Sequence, residues 1–173
     1  MSVLLDIIGS MFLGGILLLT VIDANQIASE NYSVYNGDML VQELLIGTAQ
    51  MLEGELRNMG YGVPETEGTI VQADTNRIGF LIDLGRDGSI DTIRYYVGLP
   101  AEMSKTMNKL DRFLYRKVNN AAALKVGVVT ILRFRFLTID GEQLPTPVVS
   151  TRLSEANIVE ITMEVQNPYA ENR

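Results

Sequence analysis

The hydrophobic pattern of the chain falls into three regimes. Residues 7–22 carry no charge, and Ile7, Ile8, Met11, Phe12, Leu13, Ile16, Leu17, Leu18, Leu19, Val21 and Ile22 are spread all round a helical projection. Counted from Met1 the apolar stretch reaches 22 residues, enough to cross a bilayer, which needs roughly 20. A core helix buried inside a globule would present the same pattern. From Leu40 the apolar positions narrow to one stripe: Leu40, Val41, Leu44, Leu45, Thr48, Met51, Leu52, Leu56 and Met59, in steps of three and four. Glu43, Glu53, Glu55 and Arg57 fall off that stripe. Proline is absent before Pro64, and Gly60 and Gly62 then end the helix. One helix from the start to about Met59 would be roughly 90 Å long, with weak points at Gly14-Gly15 and at residues 32–37.

Beyond residue 61 the period changes to two. Strands are predicted at 77–84, 90–97, 126–139 and 158–165, where Leu132, Phe134 and Phe136 alternate with Arg133 and Arg135. Asp87-Gly88 and Asp140-Gly141 are turn signals. Residues 109–117 read as a more polar connection. Successive hairpins without βαβ alternation predict an antiparallel sheet. The fold class is therefore α+β: a long N-terminal α-helix, apolar in its first half and amphipathic in its second, packed on a small antiparallel β-sheet domain. The division is 1–24 for the apolar helix, 25–60 for its amphipathic continuation and 61–173 for a β-rich head.

Charge sharpens this division. The sequence has 173 residues, 21 acids and 14 bases, for a formal charge of −7. No Lys or Arg precedes Arg57, and Asp6, Asp23, Glu30, Asp38, Glu43, Glu53 and Glu55 are all negative. An acidic chain lacks the clustered cations that phosphate contacts need, so no nucleic-acid partner is expected. His and Cys are both absent, which removes thiol nucleophiles, His general bases, disulfides and zinc, haem or iron–sulfur ligation. No carboxylate pair stands out as catalytic, so no enzyme and no cofactor are expected. A signal peptide fits poorly, because a basic n-region and a small-residue cleavage site are missing.

Asp6 is the anomaly of the apolar stretch. A carboxylate there costs a few kcal/mol unless it is compensated. It either faces the helix dipole at a membrane edge or pairs with the N-terminal amine of a neighbouring subunit.

The order of these pieces resembles the type IV pilin-like proteins, nearest to the minor pilin and J-type pseudopilin branch. The resemblance is carried by the apolar helix with its early acid and by Leu56-Arg-Asn-Met-Gly-Tyr61 at the helix end. It continues through Ile78–Phe80 running into Asp83-Leu-Gly-Arg-Asp87-Gly88, Thr92-Ile-Arg-Tyr95, Leu114-Tyr-Arg116, Val126-Gly-Val-Val-Thr130, Phe134-Arg-Phe136, Asp140-Gly141 and Ile158-Val-Glu-Ile161. It spans nearly the whole chain. The family carries Glu as the fifth residue of the mature chain; counted from Ser2, Asp6 is fifth. The family's helix proline is missing, and no basic leader ending in glycine is visible, so the sequence reads as a mature form or one matured differently.

The resemblance implies a non-enzymatic structural subunit, held in the inner membrane before assembly and then drawn into an extracellular, cell-surface helical filament. Its partners would be copies of itself, inner-membrane lipid, and pilus or secretion machinery. The assembly residues would be Asp6, Ile7, Ile8, Met11, Phe12, Leu13, Gly14, Gly15, Ile16, Leu17, Leu18 and Leu19. The alternatives are a minor pseudopilin of a type II-like secretion or pilus machine, and a bitopic membrane-anchored binding domain that does not polymerise.

Three other features bear chemistry. Asp83, Asp87 and Asp91 offer hard oxygen ligands of the kind Ca²⁺ takes. Their spacing is not an EF-hand loop, and turn acids usually serve the turn itself, so no metal site is expected and these three come nearest to one. Asn31-Tyr-Ser33 is a glycosylation sequon. Arg94, Arg133 and Arg135 make either a basic face for a partner or a solvated strand face balanced by Glu160 and Glu164.

Overall fold

The computed structural model describes residues 2–104 and 108–166. A single helix, α1, runs from Ser2 to Arg57, about 84 Å at 1.5 Å per residue. It passes through Gly14-Gly15 and residues 32–37 without a break. Each helical glycine costs only about 1 kcal/mol relative to alanine, too little to interrupt a helix of this length. Asn58 Nδ2 donates to the Gly54 carbonyl at 2.7 Å, and Gly60, at φ +84°, turns the chain away.

Seven strands follow: β1 (Ile70–Asp74), β2 (Arg77–Ile82), β3 (Asp91–Val97), β4 (Arg112–Val118), β5 (Leu124–Val129), β6 (Ile131–Leu137) and β7 (Ile158–Glu164). The first five form an antiparallel meander in sequence order, and β6 and β7 form a separate ribbon. The architecture is α+β, with one long helix packed on a small antiparallel sheet.

The core lies on one face of the five-stranded sheet. Ile78, Phe80, Ile93, Tyr95 and Leu114 are fully buried there. The C-terminal part of α1 covers that face through Leu52, Met51 and Leu56, with Met59 just beyond its end, and the ribbon covers it through Leu132, Phe134 and Phe136. The ribbon is tied in by the Phe134 amide donating to Thr75 O at 2.7 Å and the Thr130 amide donating to Glu164 O at 2.8 Å.

Four expectations are corrected. Residues 126–139 are not one strand: the chain breaks at buried Thr130 and feeds two different sheets. The polar connection over 109–117 is mostly strand β4, the centre of the pairing between β3 and β5. Its inward position Arg116 is charged, so the alternation of RFLYRKV is hidden until Glu55 neutralises it. Strand β1 was not expected. Leu40 and Leu44, placed on the buried stripe, are 62% and 37% exposed, because the sheet does not extend that far along the helix.

Candidate functional site

The N-terminal third of α1 is apolar and uncovered. The most apolar 18-residue window of the helix has a mean hydropathy of 2.2, and none of it is buried. The alternative of a core helix inside the globule is therefore excluded. Ile7, Ile8, Met11, Phe12, Leu13, Ile16, Leu17, Leu18 and Leu19 are all exposed. The accessible surface of the chain is 12025 Å², against about 8,400 Å² for a compact chain of 19.2 kDa. A long helix left uncovered enlarges the accessible surface in this way.

The helix is suited to an apolar surrounding. Ser10 Oγ donates to the Ile7 carbonyl and Thr20 Oγ1 to the Ile16 carbonyl, both at 2.9 Å, so these hydroxyls bring no unpaired donor. Nothing lies within 4 Å of a side chain built at Gly9, Gly14 or Gly15, so another helix can approach closely there. Asp6 is exposed in the second turn, and the dipole effect fades beyond the first. Among the described residues Asp6 has no ion-pair partner. The expected partner, the N-terminal amine of a neighbouring subunit, belongs to Met1, which lies outside the described residues.

At the other end of α1 an ionic clamp fixes helix to sheet. Arg116 Nη2 approaches Glu55 Oε1 at 2.7 Å, and its Nε donates to both carboxylate oxygens at 2.9 and 3.0 Å. The Tyr95 hydroxyl donates to Glu55 Oε2 at 2.6 Å. Burial first, and the Glu55 carboxylate second, push the Tyr95 phenol well above its usual range. Glu55 falls off the apolar stripe of the sequence, and its place at the stripe's edge, half-buried, is the signal that locates it.

The turn acids serve the turn. Asp83 is buried and accepts the amides of Asp87 and Gly88 at 3.1 and 3.0 Å. Asp87 accepts the Ser89 amide at 2.9 Å, which holds its carboxyl below the usual range. Asp91 is held by Asn119 Nδ2 at 2.6 Å. Among the described residues no group of three acids is gathered as a metal site. Asn31 is exposed on α1.

The three arginines do not form one face. Arg94 lies on β3 of the five-stranded sheet, whereas Arg133 and Arg135 lie on β6. Arg135 pairs with Glu160 at 2.7 Å, its cross-strand neighbour. On the sheet's outer face Arg77, Tyr96, Tyr115 and Lys125 are register partners in one row across β2 to β5, with Tyr96 stacked on Tyr115 at 5.3 Å. Tyr115 donates to Glu102. That bond raises the phenol to about 12 and, with the Leu99 amide, lowers the carboxyl. Sequence pattern alone misses this row, because Tyr115 lies in the stretch 109–117 that reads as a connection and Lys125 precedes the strand expected at 126–139.

Comparison with family models, with curated proteins and with solved structures finds no match for this chain.

Proposed function

We propose that this chain is a non-enzymatic structural subunit of a type IV pilin-like extracellular filament, assembling helically through its N-terminal apolar helix. The observation that carries the reading is the uncovered segment 3–22, continuous with a helix whose far end is built into the head. A lipid-covered helix and a neighbour-covered helix have the same requirements: apolar side chains all round and satisfied hydroxyls. The subunit spans the inner membrane first and exchanges lipid for copies of itself on assembly. The lack of any Lys or Arg before Arg57 lowers the cost of drawing the helix out of the membrane. A minor pseudopilin of a type II-like secretion or pilus machine has the same subunit design and differs in abundance.

Asp6 sets the axial register in this reading, because an unpaired acid in an apolar core penalises every misaligned packing. Asp6→Ala is expected to abolish or strongly reduce filaments while the head melts at the wild-type temperature. Normal filaments from Asp6→Ala would overturn the assembly role of this residue.

A further inference from the structure

The outer face of the five-stranded sheet gathers positive charge in a chain whose formal charge is −7. Arg77 and Lys125 end the row described above, and Arg94 and Lys117 are register partners on the same face of β3 and β4. Asp74 approaches Arg77 at 3.6 Å, and Glu102 accepts the Tyr115 hydroxyl. Arg94 and Lys117 have no carboxylate partner among the described residues. A Cβ built on Gly79 would come within 3.4 Å of Arg94 Cγ, so this glycine gives the apolar stem of Arg94 a seat on the sheet. We propose that this face docks an acidic, extended polypeptide segment of another protein, running along the free edge of β5. The inference does not depend on how the N-terminal helix is covered.

The occupant follows from what the face offers. Arg94 can grip a carboxylate with two parallel hydrogen bonds, and Lys117 beside it supplies a second charge. Stacking surface is scarce: Tyr96 and Tyr115 stack on each other at 5.3 Å, and the Lys125 ammonium lies 3.8 Å from the Phe113 ring centre. Single-stranded nucleic acid, held by bases laid on aromatic rings, therefore fits poorly. An anionic bilayer around segment 3–22 is out of reach, because α1 rises about 52 Å from Ile22 to Arg57. A polypeptide also finds a backbone partner here. Strand β5 ends the sheet, and on either side of the bulge at Val126 no described residue bonds its outer edge. The opposite edge, on β1, is closed by the Val148 amide donating to Ala73 O at 2.9 Å. An edge lysine commonly guards against pairing, but Lys125 is folded back over Phe113. Pairing β5 with β5 of a second copy would crowd the cations of both copies together, which repels.

The test uses the full chain in micelles of an uncharged detergent and a labelled peptide of alternating Glu and Thr. Binding is expected, weakened by salt and weakened at least about tenfold by Arg94→Glu combined with Lys117→Glu. The milder pair Arg94→Gln and Lys117→Gln is expected to weaken it too, with the head melting at the wild-type temperature. Amide hydrogen exchange over residues 124–129 is expected to slow in the complex. No binding of the Glu peptide at about 1 mM, equal binding of a Gln–Thr peptide, or binding untouched by either pair of substitutions would overturn the site. Unchanged exchange over residues 124–129 would overturn the edge-paired geometry. Tighter binding of heparin or single-stranded DNA than of the Glu peptide would overturn the polypeptide as occupant.

Discussion

Glu55 carries two jobs at one carboxylate. It neutralises Arg116, whose side chain is only 16% exposed, and it accepts the hydroxyl of fully buried Tyr95. A partly buried cation left without its partner costs on the order of 3 kcal/mol, so the clamp is what permits an arginine on the inner face of β4. Tyr95 gives the clamp a pH signature. Its folded-state pKa is raised, chiefly by burial, while in the unfolded chain the phenol titrates near its ordinary value of about 10. Below that value both states hold the proton and stability is at its full level. Above it the unfolded state releases the proton and the folded state does not, so stability falls. Denaturant midpoints at about pH 8 and about pH 10.5 are expected to differ in wild type and to differ less in Tyr95→Phe. An equal alkaline loss in the variant would contradict the assignment. The clamp was not legible in the sequence, because Glu55, Tyr95 and Arg116 are far apart along the chain and no local pattern pairs them.

The elements divide by how regular their patterns are. The end of α1 and the strands β2, β3 and β7 were legible, since their apolar periods are clean and Gly60, Gly88 and Gly141 punctuate them at positive φ. Strand β4 was not, because Arg112 and Arg116 share a face with Leu114 and Val118 and only tertiary pairing explains them. The break between β5 and β6 was hidden because both halves are β-prone; Thr130, bonded to buried Asp111 at 3.1 Å, marks the place. Leu40 and Leu44 fit the stripe, but the period of a helix does not tell where its partner sheet stops. One helix thus has two mechanical regimes. Leu52→Ala, at a site 1% exposed, is expected to destabilise the head by about 2–5 kcal/mol. Leu17→Ala, at a site 67% exposed, is expected to change it by less than about 0.5 kcal/mol. Chemical denaturation of the two variants checks this, and a comparable loss in both would mean that segment 3–22 is part of the folded core.

As a whole, the molecule is a small head that leaves a large apolar surface uncovered. That imbalance was visible in the sequence as an uncharged run followed by an amphipathic stripe, and so was the acid within it. Asp6 stands in the second turn of α1, where the dipole acts more weakly than in the first, and pairing across subunits is the role the assembly account gives it. Asp83 and Asp87 were legible as turn residues and Asp91 as part of the returning strand, and their backbone and asparagine bonds account for them. The outer-face row of Arg77, Tyr96, Tyr115 and Lys125 needed the strand register. The central claim is that the uncovered helix serves polymerisation. Negative-stain microscopy of the sheared surface fraction from native cells, with mass spectrometry of the same fraction, tests it most directly. Thin filaments containing this chain are the predicted result. The chain found in the membrane fraction and absent from any filament would contradict it and leave an anchored, non-polymerising domain.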